Sequence, residues 1–130
     1  MKLVLTALLV RDYDEAIDWY IRVLNFHLIR DEDQGNGKRW VEIAAKGGGA
    51  LLLAKAKKAE ELAAVGNQFG GRVGLFLHVD NFDAAYHRLV EANAKFDEQP
   101  RHESYGKVVV FRDLYGNRWD LIEPPQGKIL

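Results

Sequence analysis

The chain contains no cysteine, which excludes disulfides, thiolate nucleophiles and cysteine-ligated metals in one step and suits a cytoplasmic protein. It also lacks an excess of either charge. With 18 basic and 19 acidic residues the net charge is −1, so no bulk field draws it to nucleic acid or to anionic lipid. No apolar run is long enough to span a membrane. The opening stretch "MKLVLTALLVRDYDEA" has only a short apolar run before its charges and no small-residue cleavage site, so it reads as a strand rather than a signal peptide. No Gly-x-Ser-x-Gly elbow is present, which removes a hydrolase-type triad. Gly47–Gly49 are followed by neither a Lys-Ser/Thr pair nor a helix, so they read as a flexible hairpin and not a phosphate loop. "KAKK", Lys55–Lys58, runs into Glu60 and Glu61 and reads as a solvated helix start, not a nucleic-acid patch.

What is there is a repeat. The 130 residues fit one domain, 1–130, able to bury a core without disulfides or metals. Sliding the sequence by 69 positions aligns Leu5–Ile21 with Gly74–Val90. In the first copy "LTALLV" predicts a strand, Asp12 a helix cap with Glu15 three residues on, and Tyr13, Ala16, Ile17, Tyr20 and Ile21 a buried stripe. In the second, "GLFLHV" is followed by Asn81 as cap and by Phe82, Ala85, Tyr86, Leu89 and Val90 at the same offsets. Three further strand candidates follow each helix: "FHLIRDED", "RWVEIAA" and "ALLLAK", then "AKFDEQ", "KVVVFRD" and "RWDLIEP". The pattern is α+β, with the order βαβββ occurring twice. Module one covers about 1–55 and module two about 72–125. A linker, 56–71, joins them, with a short helix expected over Lys57–Val65 ended by Gly66.

"VRDYDEAIDWYIRVLNF", "FDAAYHRLVEANAKF" and "RDLYGNRWDLIEP" together resemble the vicinal oxygen chelate superfamily, which holds glyoxalases, bleomycin- and fosfomycin-resistance proteins and extradiol dioxygenases. The resemblance covers nearly the whole chain. Its most specific element is the closing turn, usually Asp-Pro-x-Gly-Asn with a Glu three residues later. Here Leu114 stands for the Pro and Asp120 for the Glu. The resemblance implies two curved mixed sheets that enclose a cavity, with helices on the outer faces. It also implies a divalent-metal site with ligands at Leu5, Leu52, Gly74 and Asp120. Of these only Asp120 can coordinate, so no metal and no other cofactor is expected.

Strand alternation puts Arg118, Asp120 and Ile122 on one face of the last strand and Trp119 and Leu121 on the other. The same parity groups Gly74, Phe76 and His78, and Leu5, Ala7 and Leu9. By the resemblance these are the cavity faces: apolar, with few polar groups, as a small-molecule site should be. Asp120 and His78 are the candidates for chemistry. Asp120 among apolar neighbours should titrate high unless Arg118, His78 or another base pairs with it; it is either a ligand contact or half of a structural ion pair. A lone strand histidine such as His78 is also a common hydrogen-bonded core residue. Phe76, Trp40 and Arg118 are candidate ligand contacts, and "PRHESYGK" adds Arg101 and Tyr105 on a rim loop. His27, His87 and His102 fall on edge strands or a helix surface.

Two functions remain open. One is a metal-free binding protein, like the drug-sequestering members of the superfamily it resembles, for an apolar or aromatic small molecule held in the inter-module cavity. The other is a lyase, isomerase or dioxygenase-type enzyme, either metal-independent with Asp120 and His78 as acid and base or metal-dependent through non-standard ligands. A homodimer is expected from the size of the chain and the resemblance, with curved sheets whose edges are costly to expose.

Overall fold

The computed structural model describes residues 1–126. The chain divides into two compact units, one ending at Gln68 and one beginning at Phe69. Each contains a mixed sheet and a long helix, an α+β architecture of βαβββ type. No helix among the described residues is long and apolar enough to cross a membrane.

In the first unit β1 (Thr6–Val10) leads into α1 (Tyr13–Leu24). Asp12 caps the helix as its sequence position predicts, with Oδ2 accepting the Glu15 N–H at 2.8 Å. Asn25, in the left-handed region at φ 59°, ends it. The helix buries Tyr13, Ala16, Trp19, Tyr20 and Val23, which differs from the expected stripe. Ile21 is 38% exposed, and Trp19 is buried in its stead. Eight residues on from Tyr13 the helix has turned about 80° past it, whereas Ala16, Tyr20 and Val23 lie to the other side. Then come β2 (His27–Asp33), β3 (Arg39–Ala44), β4 (Ala50–Lys55) and α2 (Ala59–Ala64). The sheet order is β1-β4-β3-β2, with β1 and β4 parallel and the other pairs antiparallel.

Residues of alternate parity in this sheet meet different surroundings. Leu8, Val10, Val41, Ile43, Leu51 and Leu53 are buried on the α1 side. Ala7, Leu52 and Glu42 form one row of the opposite face, since Ala7 pairs with Leu52 and Leu52 with Glu42. The edge of β1 is clipped by Gln68, whose side chain accepts from Leu9 N and donates to Ala7 O, both at 2.8 Å.

The second unit repeats the plan. β5 (Val73–His78) precedes α3 (Phe82–Glu91), and Asn81 caps the helix by accepting the Ala84 N–H at 3.1 Å. Phe82 and Leu89 are buried; full burial of a side chain such as Phe82 stabilises this packing by roughly 1.5–3 kcal/mol. Val90, expected in the buried stripe, is 46% exposed, turned away from it by the same angular argument as Ile21. The strand expected over "AKFDEQ" shrinks to β6, Lys95–Phe96. The expected rim loop contains a strand, β7 (Arg101–Glu103), which forms a hairpin with β8 (Gly106–Arg112). β9 (Arg118–Glu123) completes the order β5-β9-β8-β6, parallel to β5 and antiparallel to β8.

Candidate functional site

The turn between β8 and β9 is built on one buried carboxylate. Asp113 is 6% exposed, and its Oδ1 accepts from the backbone N–H of Tyr115, Gly116 and Asn117 at 3.0–3.1 Å. Its Oδ2 accepts from Asn117 Nδ2 at 3.0 Å and Trp119 Nε1 at 3.1 Å. Gly116, at φ 108°, occupies a backbone conformation costly for any residue with a Cβ. The turn therefore fixes the start of β9 and which of its residues face which way.

Beyond the turn, Trp119 and Leu121 are buried toward α3. Asp120 points to the other face, opposite Phe76 on β5 and Val110 on β8. One row further, Ile122 lies opposite His78 and Val108, and Val108 lies opposite Arg101. This face is graded. Val108, Val110 and Ile122 are buried, Asp120 and Arg118 are half-buried, and Phe76, at 62% exposed, and His78 stand at the open β5 edge.

Asp120 Oδ1 is buried with no hydrogen-bond partner. Burial raises the pKa of the carboxyl group, opposed by the charges of Arg101 and Arg118 and reinforced by that of Glu98. The expected partner, Arg118, is committed elsewhere: Nε donates to Asp97 Oδ2 at 2.7 Å and Nη1 to Gly71 O at 3.0 Å. Arg112 holds the other oxygen of Asp97 at 2.9 Å. Desolvation pushes Asp97 up, but the two arginines outweigh it and hold the carboxyl below its ordinary range. Arg101 donates to Glu98, Glu103 and the Tyr105 hydroxyl. Its pKa is raised above the ordinary arginine value, by the Tyr105 bond first and then by Glu103. Glu98 in turn accepts the Val110 N–H at 3.1 Å.

The second unit thus gathers Phe76, His78, Arg101, Tyr105, Arg118 and Asp120 on one sheet and its hairpin. No ion pair among the described residues includes Asp120. Trp40 belongs to the first unit, where it lines a cleft with Leu9, Leu52 and Ala54. His27 and His102 are exposed, and His87 pairs with Glu91 one turn along the surface of α3, at 2.9 Å. Sequence reasoning missed Glu98 and Asp97, whose roles depend on arginines 3 to 21 residues away. The closing turn was readable from its Asp-x-x-Gly-Asn spacing, but not that the Asp113 carboxylate is buried and accepts from three backbone N–H groups and from Trp119 Nε1.

A family model described as the Glyoxalase/Bleomycin resistance protein/Dioxygenase superfamily matches residues 2–121. The chain belongs to this superfamily. It is 50% identical over 120 residues to an uncharacterised protein of Shewanella frigidimarina, covering 90% of this chain and 89% of that one. It is 30% identical over 131 residues to the uncharacterised protein YurT of Bacillus subtilis, covering 95% and 99%. Among solved structures it is similar to TnmS3, an antibiotic binding protein from Streptomyces sp. CB03234. That likeness has a TM-score of 0.75 at 29% identity and covers 96% of this chain and 98% of the other.

The divalent-metal site that the superfamily resemblance implies can be tested on the donors present. Leu5, Leu52 and Gly74 offer no side-chain donor, and no three His, Cys, Asp or Glu residues among those described are grouped so as to hold an ion. The space beside Gly74 is also taken, because a Cβ added there would overlap the ring of Phe69. The residues at these positions do not fit the superfamily's metal.

Proposed function

We propose that this member of the superfamily is a metal-free binding protein for an apolar or aromatic small molecule carrying a hydrogen-bond donor. The observation that carries this reading is Asp120 Oδ1, buried and unpartnered beside the exposed ring of Phe76. A buried acceptor without a donor is costly, by about 1–3 kcal/mol for a neutral group and more for a charge. A ligand donor reaching this half-buried carboxyl group would offset the cost, while Phe76 would supply apolar contact and Arg101, Tyr105, Arg118 and His78 the polar rim. The antibiotic binding of TnmS3 supports the same class of activity. We further propose that Trp40 makes a ligand contact within the first unit, in the cleft it lines with Leu9, Leu52 and Ala54, and that the protein acts as a homodimer in the cytoplasm.

A second reading rests on the raised pKa of Asp120: a carboxyl group that holds its proton more readily is suited to general acid–base catalysis, with His78 on the same face as its partner. The two readings separate experimentally. Native mass spectrometry of the gently purified protein should reveal a co-purifying small molecule, and Asp120→Asn should lose it while remaining folded. Recovery of a chemically altered molecule after incubation with the parent protein, but not the variant, would favour the enzyme. Retention of the same unaltered ligand by Asp120→Asn would sink both.

A further inference from the structure

The β2–β3 hairpin turns through Gly35, Asn36, Gly37 and Lys38. Asn36 and Gly37 both lie in the left-handed region, at φ 56° and 79°, and the Lys38 N–H donates to Gly35 O at 3.0 Å. This is a type I′ turn, which Asn-Gly favours because both central residues must take positive φ. Both residues are exposed, and nothing lies within 4 Å of the place a Gly37 Cβ would occupy. The Gly37 N–H has no hydrogen-bond partner among the described residues. A side-chain amide followed by an unengaged peptide nitrogen, in water, is a reactive pair: the nitrogen can attack the side-chain carbonyl carbon. Only folded geometry and the bulk of the following residue restrain it, and Gly37 has no bulk.

The chain has six asparagines, and the fold protects the other five. Asn25 and Asn93 share the left-handed backbone of Asn36, at φ 59° and 58°. In both, the following N–H is engaged: Phe26 donates to Tyr20 O at 3.2 Å and Ala94 to Leu89 O at 3.0 Å. After Asn81, the Phe82 N–H donates to Glu123 Oε1 at 2.8 Å. Asn117 is 2% exposed, and its Nδ2 donates to Asp113 Oδ2 at 3.0 Å. Asn67 precedes Gln68, a bulkier residue whose side chain is fixed on the β1 edge by two bonds at 2.8 Å. Positive φ therefore does not single out Asn36. The unengaged N–H and the missing side chain at position 37 do.

We propose that Asn36 is a site of spontaneous deamidation and that the turn it forms is the gate. The Gly37 nitrogen bonds to Asn36 Cγ, the C–N bond of the side-chain amide breaks, and ammonia leaves with the proton that the Gly37 nitrogen gives up. Water then opens the five-membered imide, at one carbonyl to give aspartate or at the other to give isoaspartate, whose main chain runs through the former side chain and is one methylene longer. Water is the only other reactant. Ring closure needs a backbone conformation at Asn36 unlike that of the turn, so the reaction draws on molecules in which the turn has opened. An exposed hairpin tip belongs to the part of a fold that opens most readily. The lengthened main chain of the isoaspartyl product cannot rebuild a two-residue I′ turn. Next to the turn is Arg39, which fastens the hairpin base to Asp31 at 2.7 Å and to Asp14 at 2.9 Å, so the modification loosens the exposed edge strand β2 from its anchor. Asp120 takes no part, and the site stands apart from the function proposed above.

The test is peptide mapping by mass spectrometry of the full chain aged at mildly alkaline pH, with and without urea. In the native chain the peptide spanning Asn36 should gain the mass of an amide-to-acid conversion and split into aspartyl and isoaspartyl species. Peptides carrying Asn25, Asn67, Asn81, Asn93 and Asn117 should stay unchanged over the same period. Urea should speed the conversion at Asn36 several-fold by opening the turn, and Gly37→Ala should slow it in urea, where only the added side chain acts. The isolated isoaspartyl form should exchange its β2 amide hydrogens faster than Asn36→Asp, which carries the same charge on an unaltered main chain. An Asn36 that stays intact, or that reacts no faster than another asparagine of the native chain, would overturn the site. Equal rates with and without urea would overturn the gate, an unchanged rate in Gly37→Ala the role of the glycine, and equal β2 exchange in the two acidic forms the loosening of the strand.

Discussion

At the scale of the residue, Asp120 makes its strongest claim through pH. Burial raises its pKa, so ionisation disfavours the folded state. That penalty is absent below the unfolded aspartate value of about 3.9, grows as pH rises through the folded value, and is full above it. Asparagine carries no such penalty. Asp120→Asn should therefore melt at or above the parent temperature at neutral pH, with the advantage shrinking as the medium is acidified. A drop of more than about 5 °C at neutral pH would mark Asp120 as structural. Asp97 has the opposite sign: its lowered pKa stabilises the fold above the unfolded value and loses that contribution as pH falls through the folded one. Gly74 offers a steric test. Gly74→Ala collides with the Phe69 ring and should cost about 1–3 kcal/mol in urea unfolding, much of it recovered by adding Phe69→Ala. An unaffected single variant would show that the ring moves aside freely.

At the scale of the element, the β8–β9 turn and the β1 edge each hang on one side chain. Asp113→Ala strips the acceptor from three backbone N–H groups and from Trp119 Nε1, and should destabilise by about 3 kcal/mol or more. Gln68→Ala should be milder, near 1 kcal/mol, and is best seen as faster hydrogen exchange at the Leu9 amide, whose bond it removes. Both helices and their caps were legible because Asp12 and Asn81 precede apolar residues at helical spacing. The face of Asp120 was legible because strand parity is strict. β7 was not, since three polar residues, Arg101–Glu103, are too few to alternate visibly. The missing partner of Asp120 was also unreadable: Arg118 is two residues away on the same face, and only the folded chain reveals that Asp97 takes its charge.

At the scale of the whole molecule, two proposals meet simple measurements. Every residue of β2 is exposed, with Leu28 at 41% and Ile29 at 44%, and an edge strand of that kind invites association. Light scattering at micromolar concentration should return twice the chain mass of 14.8 kDa; a monomer would refute the dimer. Elemental analysis after mild purification should find no stoichiometric Mn, Fe, Ni or Zn. One equivalent per chain that disappears in Asp120→Ala would restore the metal that the donor set argues against.

The sheet order has a further consequence, for biosynthesis. In each unit the strand made last enters between two made earlier: β4 between β1 and β3, and β9 between β5 and β8. Neither sheet can close while its final strand is still being translated, and until then the earlier strands wait with unpaired edges. The first unit contains its closing strand by Lys55, so it can assemble while the second is being synthesised. The second must wait for Glu123, and a ribosome stalled shortly before that point would hold a nascent chain with β5 and β8 open to chaperones and to neighbouring chains.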